Sequence, residues 1–550
     1  MSKGKALVVP GAVVVLAVAS GGWFLQTDRG LGTNLYVKTR VLEEVMTRIE
    51  RDFVDEIDVD ELYDAALEGM VERLGDPNSS LLRAPDWEDM RIRTQGEYGG
   101  VGLEVADRDS FVTVVAPIPG TPGSRAGLRP GDRIVEVEGE SVEGWGTDAV
   151  AQILRGRPGT TVRMGVRRRG VERIIPFEIT RAVIQLKSVP FAVLLEGGVG
   201  YVPVEIFNET TTEEVQAGLD SLAAEGMTSL ILDLRRNRGG LLLEGVALSD
   251  LFLDGGSDIV QVKGRASPER YRAASAQARP DMPVVVLVDN GSASAAEIVA
   301  GALQDNDRAL LIGAPTFGKG SVQSLFPVSD GRVLKLTTAR WYTPVGRSIQ
   351  KDPLDQLIDV ESGVVSIRGE VVRYPEVSDR PGYTSAGGRT LLGGGGIVPD
   401  VWVLPDTVTA TEGEAVRKLF AVGGEYVRGL QNWAVRYLQE HPSLEPGFTM
   451  TDADLADFHA TLAGRGVKIT LADLRQARRT VQYHLGSEIA LQAWEDRGRF
   501  LRNARYDAPL RRATELLLAA ATQDDLFRLA GVPPGGTRPG GDAEAGRSGT

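Results

Sequence analysis

The sequence predicts a multidomain α+β protein: an α/β core, a small β-rich module inserted ahead of it, and a helical region after it. Three observations carry that reading. The chain runs to 550 residues, too many for a single hydrophobic core. Between residues 198 and 405, continuous apolar runs such as 230–234 and 284–288 alternate with helical segments such as 295–303, the texture of a sheet covered on both faces. Between residues 96 and 182, short strand-like stretches separated by turn residues replace them, and beyond residue 410 the apolar period is helical almost throughout.

In chain order, residues 1–33 come first. Lys3 and Lys5 precede an uncharged apolar stretch over residues 6–25, which fits either a membrane-spanning signal anchor or a long signal peptide. Ala17, Val18 and Ala19 would suit a signal peptidase, and on both readings the remainder is exported. Residues 34–95 form a helical segment: Val41, Val45, Ile49 and Phe53 recur every fourth place, as do Leu62, Ala66, Met70 and Leu74, before Gly75, Asp76, Pro77 and Asn78 end the pattern. Residues 96–182 make the β-rich module, with strands expected at 111–115, 133–137, 161–166 and 172–179 and one helix at 147–154. Residues 183–405 make the α/β core, with a flexible glycine joint at 393–396. Residues 406–532 are helical, with Asp452, Asp454 and Thr470 near helix starts, and the Gly-, Arg-, Pro- and Asp-rich residues 533–550 read as a disordered tail.

Composition narrows the chemistry. A net charge of -14 argues against a nucleic-acid partner, whose phosphates require a surplus of Lys and Arg on some face. The chain has no cysteine, which removes thiol nucleophiles, disulfides and thiolate metal sites together. Its three histidines, His441, His459 and His484, lie in helical segments without carboxylates at metal-ligand spacing and read as packing or surface residues. No metal or other cofactor is expected.

Two segments carry reactive residues. Residues 284–298 read as strand, small-residue turn and helix, which sets Ser294 at the positive end of a helix dipole where backbone N–H groups can also receive a developing oxyanion. The same serine with Glu297 also satisfies a capping box, which requires no catalysis. Lys319 lies between Gly318 and Gly320 with little polar company. To act as a base near neutral pH it must lose its proton, and lowering its pKa by about three units costs roughly 4 kcal/mol, within reach of desolvation. With no histidine before residue 441, serine paired with lysine is the constellation left. Residues 313–319 also match the start of a phosphate loop, a nucleotide-binding alternative. Gly320 then stands where that loop needs Ser or Thr, and a strand-like run succeeds it where the loop needs a helix.

At these segments the chain resembles the C-terminal processing peptidases, also called tail-specific proteases. The resemblance covers most of residues 35–405 and rests on Gly291, Ser292, Ala293, Ser294, Ala295, Ala296, Glu297 and Ile298; on Pro315, Thr316, Phe317, Gly318, Lys319 and Gly320; on residues 342–350; and on residues 396–401. It implies a crotonase-like/ClpP-like serine protease core in which Ser294 is the nucleophile, Lys319 the general base and Gln323 the amide that orients the lysine. Ser292 is the nearest competitor as nucleophile, and Gln323 also reads as a strand surface residue. The resemblance further places the oxyanion on the N–H groups of Ala295 and Gly240, the latter in a turn where the family usually has proline and this chain has Arg238. The β-rich module looks like a PDZ domain, with Gly99, Gly100, Val101, Gly102 and Leu103 as its carboxylate-binding loop or, alternatively, a simple glycine turn; residues 126–132 match the middle of that domain. The implied protein is a serine endopeptidase of the bacterial cell envelope, on the periplasmic side of the inner membrane or secreted to the periplasm, cutting exported proteins recognised through apolar C-terminal tails. The helical region after residue 405 would serve as a lid, a homo-oligomer contact or an adaptor contact. A catalytically silent, membrane-tethered PDZ scaffold is the alternative.

Overall fold

The structure, a computed structural model, describes residues 32–108, 110–168, 171–265, 268–277, 279–351, 364–372 and 380–532. The apolar N-terminal stretch and the tail of residues 533–550 lie outside them. No helix among the described residues is long and apolar enough to cross a membrane. The chain divides into two compact units: residues 1–84 with 323–337, and residues 85–322 with 338–550.

The first unit contains two amphipathic helices, Gly32–Asp52 (α1) and Val59–Glu72 (α2). Asp58 caps α2 by accepting from the Asp60 N–H at 2.8 Å. Gly75 then leaves the helical path at φ 64°, and the Asp76 carboxylate closes the turn by accepting from the Ser79 hydroxyl at 2.5 Å. Ser80–Leu82 (β1) pairs antiparallel with residues 333–335, Ser80 opposite Lys335. Arg332 ties the same segment to α2 through Asp64 at 2.5 Å and over the Tyr63 ring.

The second unit begins its sheet structure with Glu97–Gly100 (β2), then builds the β-rich module from Leu103–Arg108 (β3), Phe111–Pro117 (β4), Arg133–Val137 (β5), Thr147–Leu154 (α3), Thr161–Arg167 (β6) and Ile175–Thr180 (β7). The sheet order is β3-β4-β5-β6-β7, all pairs antiparallel. Alternation along the strands buries Val112, Val114, Ile134, Val137, Val162 and Val166 against Val150 and Leu154 of α3. β2 stands outside this sheet and pairs with Ala182–Gln185 (β8), Glu97 opposite Gln185. The module is therefore strung between the two strands of a ribbon, the geometry of an insertion.

The α/β core is a six-stranded sheet in the order β9-β10-β11-β12-β13-β14, from Val193–Leu195 (β9), Val199–Pro203 (β10), Ser229–Asp233 (β11), Val284–Val288 (β12), Leu310–Gly313 (β13) and Val401–Trp402 (β14). All neighbours are parallel except β9 with β10. The connections carry the helices Thr211–Ala224 (α4), Leu242–Asp250 (α5) and Ala295–Asp305 (α6). Leu230, Leu232, Val284, Val286 and Val288 point to these helices. Ile231, Val285, Leu287, Leu310 and Ile312 point the other way. With both faces buried, each Val or Leu contributes about 1.5–3 kcal/mol, which is why the strands read as unbroken apolar runs. β13 starts at Leu310, and Arg308 just ahead of it is turned aside: its Nε donates to Gln277 Oε1 at 2.8 Å and its Nη2 to the Arg279 carbonyl at 2.9 Å.

The second face of the sheet is closed from the far end of the chain. After the helices Ala410–Ala421 (α7), Gly424–Glu440 (α8), Asp452–Gly464 (α9), Leu471–Gln476 (α10) and Arg478–Asn503 (α11) come Ala508–Ala519 (α12) and Gln523–Leu529 (α13). Leu510, Ala513, Leu516 and Leu517 of α12, with Leu526 and Phe527 of α13, share one core with Tyr201, Ile231, Val285 and Ile312. Gln523 even continues the sheet's hydrogen bonding, its Oε1 accepting from the Val284 N–H at 2.8 Å. Helices α7 to α11 have a core of their own around Tyr426, Trp433, Phe458, Leu474, Val481 and Leu485. Thr451 and Thr470 cap α9 and α10, each in a box closed by an aspartate three residues on. All three histidines are in packing contacts here: His441 stacks on Tyr437, His459 Nε2 meets the Ile469 carbonyl at 2.9 Å, and His484 lies between the Tyr426 hydroxyl and the Arg368 carbonyl.

Candidate active site

The carboxyl ends of β11, β12 and β13 lead into three adjoining loops, the usual place for a ligand in a parallel sheet. β12 runs into a turn that delivers Ser294 at the start of α6. Asp289 shapes that turn: its Oδ1 accepts from the Gly291 N–H at 2.9 Å and from the Arg236 N–H of the neighbouring loop at 2.8 Å. Ser294, half-buried, holds φ 55° and ψ -114°, a conformation costing of order 1–3 kcal/mol for a non-glycine residue. Ser292 has a different fate. It is fully buried, its hydroxyl donates to the Leu234 carbonyl at 2.8 Å and accepts from the Asp289 N–H at 3.0 Å, so its oxygen is spent on holding two loops together.

Glu297, the other half of the capping motif, has more contacts than a cap. It is 0 % exposed. Its Oε2 accepts from the Ser294 N–H at 2.8 Å and from the Lys319 N–H at 2.9 Å. Its Oε1 accepts from the Thr316 hydroxyl at 2.6 Å and from the Gly318 N–H at 2.7 Å. One carboxylate oxygen thus sets the backbones of Ser294 and Lys319, 25 residues apart in sequence, side by side. Burial pushes the Glu297 carboxyl above its usual range, opposed by the Thr316 hydroxyl and the three N–H donors.

The Lys319 loop is held on its other sides by the segments that carried the remaining motifs. The Thr316 N–H donates to the Ile397 carbonyl at 3.0 Å, the Lys351 N–H to the Gly318 carbonyl at 3.0 Å, and the Gly320 N–H to Gln350 Oε1 at 3.1 Å. Buried Trp341 donates from Nε1 to the Lys319 carbonyl at 3.1 Å. Gly318, at φ 91°, admits no side chain, since a Cβ there would lie 3.0 Å from the Gly396 nitrogen. Beyond Lys319 the chain enters the strand Ser321–Pro327, not the helix a phosphate loop requires. Gln323 belongs to the first unit, where its Nε2 donates to Thr337 Oγ1 at 3.4 Å.

The turn after β11 is packed against the nucleophile turn. A Cβ on Gly239 would lie 2.7 Å from that of Ser294 and 2.9 Å from the Ala295 nitrogen. Asn237 shapes this turn in three ways: Oδ1 accepts from the Gly239 N–H at 2.8 Å, Nδ2 donates to the Val204 carbonyl at 2.7 Å, and its carbonyl accepts from the Ala293 N–H at 2.8 Å. Arg238 is exposed and supplies none of these bonds. Gly239 has spent its N–H on Asn237, whereas among the described residues neither the Gly240 N–H nor the Ala295 N–H has a protein acceptor.

In the β-rich module, Gly99 and Gly100 lie in the β2 ribbon, opposite Val183 and Ala182. The Val101 carbonyl accepts from the Gly123 N–H at 2.7 Å, and Gly102, at φ 73°, accepts from the Ile118 N–H at 3.1 Å. Leu103 then opens β3, an edge strand with α3 packed beside it.

Two features here escape sequence reasoning. Glu297 is visible in the sequence only as a capping partner, although an acidic residue three places after a turn serine was the signal. Arg235, in the turn after β11, donates from Nη1 to Asp507 Oδ1 at 2.7 Å, a partner 272 residues away that no local pattern announces.

Among known protein families, residues 198–360 match Peptidase family S41 and residues 113–168 match the PDZ domain. The chain is 38% identical over 323 residues to a carboxy-terminal-processing protease of Bartonella bacilliformis, covering 58% of this chain and 74% of that one. It is 33% identical over 354 residues to the carboxy-terminal processing protease CtpA of Bacillus subtilis, covering 64% and 75%. Among solved structures, a photosystem II D1 C-terminal processing protease aligns at 31% identity and TM-score 0.33, over 56% of this chain and 89% of that one.

Proposed function

Since the chain belongs to the carboxy-terminal processing proteases of peptidase family S41 and carries a PDZ domain, we propose that it is an endopeptidase with a Ser294–Lys319 dyad that receives exported proteins by their C-terminal tails. The observation that supports this most is the single Glu297 oxygen accepting from both Ser294 and Lys319. The Lys319 amine takes the Ser294 hydroxyl proton as the oxygen attacks the scissile carbonyl carbon. The resulting oxyanion is received by the N–H groups of Gly240 and Ala295, each worth about 2.7–4 kcal/mol to the transition state. The lysine then gives that proton to the leaving amine; water, deprotonated by the Lys319 amine, attacks the acyl carbon, and the proton passes from the lysine to the Ser294 oxygen as the acyl group leaves as a carboxylic acid. Gln323 is the amide that the family resemblance adds to the pair. The core is of the crotonase-like/ClpP-like kind, in keeping with its parallel sheet and flanking helices.

The tail is taken up by residues 99–103 leading into edge strand β3, to which an extended peptide can add as a further strand while the loop receives its carboxylate. The apolar stretch over residues 6–25, read as an export segment, supports a location in the cell envelope, on the periplasmic side. The scaffold alternative is not favoured, because it gives no reason for the Glu297 link between the two reactive residues. The test is tail dependence: an unfolded substrate with a free apolar C-terminus is expected to show a KM about tenfold lower than the same chain ending in an amide or in two aspartates. Equal KM values would remove the PDZ step.

A further inference from the structure

We propose that Asp507, at the start of α12, is a positioning residue for the protease site: by holding the outer edge of Arg235 it fixes the turn that presents the Gly240 N–H to the oxyanion. The inference rests on the oxyanion role assigned above.

Arg235 lies between β11 and the turn of Asn237, Gly239 and Gly240. Its guanidinium is shared between two carboxylates. Nη2 donates to Asp233 Oδ2 at 2.6 Å and Nε to Asp233 Oδ1 at 2.9 Å, while Nη1 reaches Asp507 Oδ1 at 2.7 Å. The side chains are 13%, 7% and 8% exposed for Arg235, Asp233 and Asp507, so the ion pairs are little screened. Tyr201 completes the first carboxylate at 2.7 Å, and Arg368 completes the second at 3.1 Å. Burial alone would raise the Asp507 carboxyl, but Arg235 and Arg368 hold it down to about 2, so it is charged at any working pH.

Asp507 is itself tied to a packed helix. Its Oδ1 caps α12 by accepting from the Leu510 N–H at 3.1 Å, and α12 is anchored in the sheet core by Leu510, Leu516 and Leu517. On the other side, Arg236, next along the turn, holds a positive φ of 61° and donates its N–H to Asp289, the residue that shapes the Ser294 turn. A continuous path thus runs from α12 through Arg235 and Arg236 to the nucleophile turn. A capping aspartate with a structural ion pair would explain the Asp507 contacts, but not why its partner stands at the entry to this particular turn.

The test is Asp507→Asn in the full chain. Asparagine keeps Oδ1 as the acceptor of the Leu510 N–H but removes the charge that binds Arg235 through that oxygen, and turns Oδ2, the acceptor of Arg368 Nη2, into a donor. The expected result is a kcat at least tenfold lower per active site, counted by fluorophosphonate titration, with KM within about threefold and the melting temperature within a few degrees. In an Arg235→Gln background the same substitution should add little, because both act on one contact. An unchanged kcat per site, or fully additive losses, would overturn the proposal. Should Asp507→Asn fail to fold, Asp507→Ser keeps a capping hydroxyl and is read the same way; failure of both to fold marks a folding role only and also overturns it. If Ser294→Ala abolishes cleavage in the same assay while Asp507→Asn does not change it, this proposal fails and the dyad stands.

Discussion

Ser294→Ala is expected to lower kcat by about 10⁴-fold or more, with folding and tail binding intact. Lys319→Ala should lose about as much, and the double substitution scarcely more, because a nucleophile without its base and a base without its nucleophile are equally idle. Both substitutions remove side chains that are only half-buried, while the main-chain bonds that shape the two loops stay: the Ser294 and Lys319 N–H groups still reach Glu297, and the Lys319 carbonyl still receives Trp341. Cleavage of an unfolded substrate by the three variants, beside peptide binding and circular dichroism, separates lost chemistry from lost structure. Ser292→Ala should behave oppositely. It removes a buried hydroxyl that holds Leu234 and Asp289, so its cost appears first in stability.

Glu297→Gln should lower kcat about 10²-fold and lower the melting temperature as well. The carboxylate accepts four hydrogen bonds in a fully buried place, two on each oxygen. Glutamine turns one of those oxygens into a donor. If it faces Ser294 and Lys319, two main-chain N–H groups lose their acceptor; if it faces Thr316 and Gly318, one does, with the Thr316 hydroxyl rotating. A buried donor left without an acceptor costs about 1–3 kcal/mol, and the charge-assisted strength of the remaining bonds goes too. The same group gives a pH signature. Its pKa is raised in the fold, so the folded chain takes up a proton at a pH where the unfolded chain has not. As the pH falls through that raised value the fold gains stability from this group while the site loses an acceptor, so activity should drop on the acid side before the protein unfolds. Asp507 has the opposite sign: held down to about 2, its contribution to stability is lost only as the pH falls from about 4 towards 2. Activity and ellipticity followed together down the acid limb distinguish the two.

Much of this was legible from local pattern. The run at residues 284–288 and the helix after it could be placed because a doubly buried strand leaves no room for polar residues and a small-residue turn must succeed it. The inserted module was readable because its strands alternate, and Thr147–Leu154 because its apolar residues keep helical spacing. Ser294 and Lys319 stood out against the absence of cysteine and of any histidine before residue 441. What local pattern cannot carry is contact between distant segments. The sheet's second face is closed by Leu510, Leu516 and Phe527, whose spacing announces only amphipathic helices and not what they cover. The Arg235 contact with Asp507 and the ribbon of β2 with β8 are likewise tertiary facts. Glu297 shows the same limit within a motif: the spacing that makes a cap is also the spacing that lets one carboxylate gather a second loop.

The central claim is that Ser294 is the nucleophile and Lys319 the base that activates it. Labelling with a fluorophosphonate and then mapping the labelled peptides by mass tests it directly. One adduct on Ser294 is predicted for the native chain, and a labelling rate lower by at least 10²-fold in Lys319→Ala. An adduct on Ser292, or a Lys319→Ala chain that labels as fast as the native one, would contradict it.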